Sequence, residues 1–96
     1  MRYTIHKTED YDTWLKTQSL KTKVQISERL DKIALNGHFG KNRYLNDIWE
    51  LKWENGRRIY YAHFPDLNIV LLLGGSKNDQ KKDIRHAKKI YENYAI

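Results

Sequence analysis

Cysteine is absent from the chain, so neither a disulfide framework nor a thiolate metal site is available. The fold must rest on its hydrophobic core alone, as suits a reducing cytosol. Long apolar runs are missing as well. The longest, Ile69 to Leu73, falls far short of the roughly 20 residues a membrane span needs. The opening MRYTIHKTED has no apolar segment and turns acidic at once, so a signal peptide is not expected and a cytoplasmic location is. No repeat, linker or low-complexity stretch interrupts the chain. At 96 residues it has the length of one small domain with one core, and residues 1–96 are read as that domain.

Several chemistries are excluded by missing patterns. A nucleotide-binding loop needs G-x-x-x-x-G-K-[ST], whereas GGSK at 74–77 has neither the first glycine at that spacing nor the final order. His6, His38, His63 and His86 are scattered without the paired spacing of a zinc site, and no carboxylate cluster suits magnesium. Ser19, Ser27 and Ser76 lack the context of a nucleophile elbow. No metal and no cofactor is expected.

What the chain has in excess is positive charge. Lysine and arginine number 18 against 12 acidic residues, a formal net charge of +6, which favours polyanionic partners. Much of it lies at the C-terminal end, where LLLGGSKNDQKKDIRHAKK turns from leucines through two glycines into a basic run. That charge either contacts phosphates or simply solvates a helix face.

Sequence periodicity predicts the order β-α-α-β-β-β-α, an α+β fold with a small antiparallel sheet, two N-terminal helices on one face and a C-terminal helix. Residues 2–6 alternate as a strand. Thr8 is a candidate N-cap for the helix that follows, with Glu9 and Asp10 favourably placed in its first turn. A second helix from Leu20 carries an apolar face of Leu20, Val24, Ile26, Leu30, Ile33 and Ala34 and ends at Asn36-Gly37. Residues 38–46 read as a basic loop. IWELKW then alternates, with Trp49, Leu51 and Trp53 on one face and Ile48, Glu50 and Lys52 on the other. Asn55-Gly56 predicts a hairpin into RRIYYAHF, and Pro65-Asp66 a second turn into NIVLLL, a central strand buried on both faces. Gly74-Gly75 is expected to let the backbone leave the sheet. In the last helix Ile84, Ala87, Tyr91 and Tyr94 form a core stripe, with Lys81, Lys82, Arg85, Lys88 and Lys89 roughly opposite. Trp49, Leu51, Ile59, Leu71 and Ile84 are the expected buried set.

Antiparallel pairing of the two middle strands places Arg58 and Tyr60 beside Glu50 and Lys52. A guanidinium, a carboxylate, an amine and a phenol then converge on one sheet face, a usable set for phosphodiester chemistry. On this reading Arg58 is a cleft-facing cation that contributes little to packing.

The series WELKW, RRIYYAHF and IVLLLGGSKNDQKKDIRHAKKIYENY resembles the RelE/HigB superfamily, and within it the phage-derived addiction-module killer proteins. Their pattern is a strand with E-L-R, a strand with Y-R-V-Y, and a leucine-rich strand running into G-G-x-K-x-x-Q-x-x-D-I-x-x-A. The likeness extends through YDTWLKT and RLDKIALNGHFG, nearly the whole chain. It implies the toxin of a type II toxin-antitoxin pair, with a cognate helix-turn-helix antitoxin as partner and the ribosome and mRNA as targets. Such toxins cut mRNA in the ribosomal A site without a metal, by attack of the ribose 2′-OH on the adjacent phosphate.

Carried over by position, the resemblance makes Arg58 the candidate ligand of the scissile phosphate and Lys77 a further phosphate contact. Gln80 and Asp83 match the G-G-x-K-x-x-Q-x-x-D positions, and Glu50 the acid of E-L-R. Lys52 stands where the family has arginine, and Arg57 where it has tyrosine. The general acid and base stay open among Lys52, Glu50, Asp83 and His86. Lys81, Lys82, Arg85, Lys88 and Lys89, with Tyr60, are the expected RNA and ribosome contacts. Two other functions compete: a ParE-like gyrase inhibitor, and an RNA- or protein-binding module without activity.

Overall fold

A computed structural model describes residues 2–94. The elements are β1 (Thr4–Lys7), α1 (Glu9–Lys16), α2 (Leu20–Asn36), β2 (Asn42–Tyr44), β3 (Trp49–Lys52), β4 (Arg57–Phe64), β5 (Asn68–Ser76), a short 3-10 turn (Lys77–Asp79) and α3 (Gln80–Tyr94). They form one five-stranded sheet in the order β1-β5-β4-β3-β2. The α+β class is as expected. Two features of the sheet differ. It is mixed, because β1 runs parallel to β5 with Ile5 beside Ile69 and Lys7 beside Leu71. It also has a fifth strand, β2, within residues expected to be loop; Asn42, Arg43 and Tyr44 pair with Leu51, Glu50 and Trp49. The β2–β3 turn takes left-handed backbone at Asn46 and Asp47, residue types that tolerate it, so the signal for this hairpin lies in an Asn-Asp pair without glycine.

Local chemistry accounts for the helix ends. Thr8 caps α1 by accepting the Tyr11 N–H at 3.0 Å, while its hydroxyl donates to the Leu72 carbonyl at 2.8 Å and ties the helix start to β5. Gly37 closes α2 in the left-handed conformation expected of Asn36-Gly37. No helix among the described residues is long and apolar enough to cross a membrane.

The sheet separates two apolar clusters. On one face Tyr11, Ile26, Leu30 and Ile33 of the N-terminal helices pack against Leu51, Ile59, Tyr61, Ile69 and Leu71. On the other, α3 lays Ala87 over Ile48, Tyr60, Ala62, Val70, Leu72 and Leu73. NIVLLL is thus buried on both faces. Leu51, Ile59 and Leu71 are fully buried, whereas Trp49 and Ile84 are half-buried at the cluster margins. The expected apolar faces are too broad at their ends. Leu20 and Val24 are exposed because helical spacing turns them away from the inward stripe of Ile26, Leu30 and Ile33, and Tyr94 is exposed at the end of α3 although its ring rests on Phe64.

Gly74 and Gly75 do not take the chain out of the sheet. They belong to β5 and pair with Ile59 and Arg58. The reason for glycine is close approach on both faces. A β-carbon at Gly74 would lie 2.1 Å from Trp14 of α1, and one at Gly75 would lie 2.0 Å from an Asp83 carboxylate oxygen of α3. A bulge between the Tyr60–Leu73 and Tyr61–Leu71 pairs shifts the phase of β5. The two glycines thereby face opposite helices at the level where both come nearest.

Leu71→Ala is expected to cost about 2–5 kcal/mol in chemical denaturation, since the side chain is fully buried between β1, β4 and α1. A decrease below about half a kcal/mol would contradict this packing. Gly74→Ala should destabilise by roughly 1–3 kcal/mol because the Trp14 ring must move, with a matching change in tryptophan emission. Unchanged emission and stability would show that the ring does not rest on that glycine.

Candidate active site

The register of three strands builds the site. Glu50 pairs with Tyr60 across β3 and β4, Lys52 with Arg58, and Arg43 of β2 with Glu50 from the other side. Alternation turns Glu50, Arg58 and Tyr60 toward the α3 side, because Leu51, Ile59 and Tyr61 fill the opposite core. Arg58 in turn pairs with Gly75, above which α3 begins.

Glu50 is fully buried and lies at the centre of the polar cluster. One carboxylate oxygen is 3.4 Å from the Arg43 Nε, and the other is 3.7 Å from the Arg58 Nε. The second oxygen also accepts a 3.0 Å hydrogen bond from the Gln80 side-chain amide, which joins α3 to the sheet. A carboxylate removed from water requires such partners. Two guanidinium groups share this one carboxylate.

Arg58 is only 7% exposed, which corrects the expectation of a freely cleft-facing cation. Besides Glu50, its Nη1 is held by the Arg57 carbonyl at 3.2 Å and the Trp53 carbonyl at 3.4 Å. It is therefore part of the packing as well as of the site. Tyr60 is also corrected. Expected at the RNA surface, it is fully buried beneath α3 and has no ring face to offer a base. Burial, followed by the Glu50 and Asp83 carboxylates, pushes its hydroxyl far above the ordinary phenol range, so it stays protonated.

Asp83, in the first turn of α3, is 9% exposed and projects over Gly75. Burial raises its pKa, Asp79 adds to the rise, and Lys82 and His86 oppose it. Lys52 is half-buried at the end of β3. Lys77 is exposed and starts the turn beside the β3–β4 hairpin tip at Gly56. From there a shallow hollow of about 480 Å³ opens along the start of α3, lined by Lys77, Asn78, Asp79, Gln80, Lys81, Lys82 and Arg85. Gln80 belongs to both the hollow and the Glu50 cluster. Lys82 is close to Asp79, at 4.0 Å. Lys88 and Lys89 sit a turn or more further along α3 and do not line the hollow, and His86 is exposed outside it.

Two groups of the site carry no signal in the sequence pattern. Arg43 escapes because its strand is three residues long and its surroundings read as loop. Arg29 escapes because its role is to hold distant carbonyls. Its guanidinium donates to Phe39 O at 2.9 and 3.1 Å, to Lys41 O at 2.6 Å and to Lys52 O at 2.5 Å. It also stacks 4.3 Å from the Trp53 ring centre. This fastens the segment before β2 to the end of β3. Arg57 reaches α2 instead, donating to Gln25 and Thr22 side chains at 3.2 Å each. Among the described residues no group of three or more histidine and acidic side chains could hold a metal ion.

Comparison with known proteins agrees with this architecture. An uncharacterized protein of Haemophilus influenzae is 33% identical over 100 residues and is aligned over the full length of both chains. Among solved structures, the Escherichia coli toxin RelE, as a double-arginine mutant in the free state, superposes with a TM-score of 0.72 at 16% identity, covering 93% of this chain and 97% of that one. The toxin-antitoxin complex RelBE2 of Mycobacterium tuberculosis contains a chain matching with a TM-score of 0.65 at 14% identity, covering 79% of this chain and 99% of that one. The intact RelBE complex of E. coli gives 0.63 at 15% identity, with 77% and 95% covered. Residues 13–95 match the family described as phage-derived protein Gp49-like, and the chain belongs to that family, built on the RelE-like fold.

Proposed function

We propose that this protein is the toxin of a type II toxin-antitoxin pair and a metal-independent endoribonuclease that cuts mRNA on the ribosome. The observation that carries this reading is the buried Glu50 carboxylate holding Arg58 and Arg43 beside Asp83, at the head of a lysine-lined hollow. A preorganised cationic centre that continues into an exposed basic surface suits an extended polyanion better than a small neutral ligand. The toxin-antitoxin complexes among proteins of the same fold support a protein antitoxin as partner.

In this mechanism the ribose 2′-oxygen loses its proton and attacks the adjacent phosphorus. The new O2′–P bond replaces the P–O5′ bond, and the departing 5′-oxygen takes up a proton. A 2′,3′-cyclic phosphate and a 5′-hydroxyl result. Arg58 neutralises charge that builds on the phosphoryl oxygens. Glu50 orients Arg58 by its charge, from a fully buried position that Gln80 fixes by a hydrogen bond. Asp83 is the better proton carrier: its pKa is raised, it borders the cluster and it retains some exposure. Lys52 and Lys77 flank the phosphate at the open end of the sheet. Lys81, Lys82 and Arg85 engage RNA backbone along the hollow, with Lys88 and Lys89 extending the basic face of α3.

Induced expression followed by mapping of mRNA 5′ ends is expected to reveal cuts inside translated regions. Intact mRNA with inhibited DNA supercoiling would instead indicate gyrase as the target. Arg58→Lys should abolish most cleavage while the protein remains folded, since the charge stays but the planar group that reaches Glu50, the Trp53 and Arg57 carbonyls and the phosphate together is lost. Arg58→Ala should also destabilise, up to about 3–5 kcal/mol, because it strips a partner from a buried carboxylate. Cleavage at the normal rate by Arg58→Lys would remove that side chain from the chemistry.

The combined variant Lys81→Gln, Lys82→Gln and Arg85→Gln should weaken ribosome association at physiological salt. For each phosphate that is no longer neutralised, the dependence of log affinity on log salt should flatten by about 0.7–0.9. An unchanged slope across a salt series would mean that this helix face is only solvated.

A further inference from the structure

We infer that Arg43, on the edge strand β2, is a second phosphate-binding group that holds a backbone phosphate next to the scissile one. This rests on the endoribonuclease reading above and gives that site a subsite on the same sheet face, at the β2 edge.

The geometry singles out Arg43 from the other cations. Its Nε lies 3.4 Å from the Glu50 oxygen not used by Arg58, so one rigid carboxylate indexes both guanidinium groups. Glu50 is fully buried and also tied to Gln80, which leaves it little freedom to move. The side chain of Arg43 is nevertheless 48% exposed, against 9% for Arg58. Among the described residues neither of its terminal nitrogens has a hydrogen-bond partner. A guanidinium held beside a buried carboxylate at Nε and still half exposed can take an oxyanion on its terminal nitrogens.

The spacing and support suit a polyphosphate strand. β2 and β4 flank β3, so their backbones are about 10 Å apart, and both arginines lean inward to Glu50. Two cations held at such a separation match consecutive phosphates on one strand better than a single anion. The hairpin that carries Arg43 is itself anchored. Arg29 clamps the carbonyls of Phe39, Lys41 and Lys52, and the Tyr44 hydroxyl accepts the Asp47 N–H at 3.3 Å. The competing explanation is that an exposed charge on an edge strand merely discourages strand-to-strand aggregation. That role requires no buried carboxylate partner and no orientation of the guanidinium.

The test uses the full-length protein and ribosomes programmed with a defined mRNA, with kcat, KM and thermal stability measured for wild type, Arg43→Gln and Arg43→Lys. Arg43→Gln is expected to raise KM about tenfold, more than it lowers kcat, and to flatten the salt slope by about 0.7. Arg43→Lys should restore the slope but only part of the KM. In parallel, affinity is measured for ribosomes carrying an mRNA with 2′-deoxy substitution at the cleavage position, which binds without being cut. Equal affinities and salt slopes for wild type and Arg43→Gln would overturn the subsite. So would a fall in kcat and thermal stability with KM unchanged, because Arg43 would then act only through Glu50. Absence of cleavage by wild type would instead overturn the endoribonuclease reading, and the uncleavable complex would still report on the subsite.

Discussion

A single buried carboxylate organises one face of this protein. Glu50 is withdrawn from water, and its partners come from three separate elements: the guanidinium charges of Arg43 of β2 and Arg58 of β4, at 3.4 and 3.7 Å, and the hydrogen-bonding amide of Gln80 of α3. The same demand therefore fixes the edge hairpin, the central strands and the C-terminal helix relative to one another. The positive surplus beside Glu50 comes from Lys77, Lys81, Lys82 and Arg85 at the start of α3. The candidate chemistry is thus a by-product of the requirement that stabilises Glu50, and the functional cations are preorganised because they are structural.

The glycine pair plays the complementary part on β5. Gly74 admits Trp14 from one face, and Gly75 admits the Asp83 carboxylate from the other. Without the bulge after Leu71 the phase of the strand would be inverted, and each glycine would face the wrong helix. The arrangement brings Asp83 down to the level of Arg58, which pairs with Gly75 across the two strands. A β-carbon at position 75 would push the Asp83 carboxylate out of the place it now occupies beside the cluster. Close packing thereby sets the environment that raises the Asp83 pKa.

The function proposed here uses these two devices together. A centre made only of exposed lysines would bind RNA without fixing a phosphate, since long flexible side chains in water are poorly preorganised. A centre made only of buried pairs would have no access to substrate. The hollow along Lys77, Gln80, Lys81 and Arg85 connects the two regimes, with Gln80 shared between them.

Much of the architecture is legible in the chain. Alternation in WELK and RRIYYAHF sets which side chains face each core, because strand periodicity is local and the apolar phase leaves one choice. Asn55-Gly56, Asn36-Gly37 and Thr8 mark turns and caps through backbone preferences of single residues. The co-location of Glu50, Lys52 and Arg58 follows from the same local logic. What escapes depends on residues distant in sequence. The parallel pairing of β1 with β5, the short strand β2, the burial of Arg58 and Tyr60, and the shared hold on Glu50 all arise only when the sheet closes and α3 covers it. The order of the elements and the facing of their side chains are thus written along the chain, since both follow from near neighbours. Which charges are withdrawn from water, and so must share partners, is settled only by the assembled fold, because desolvation is a property of the whole and not of any segment within it.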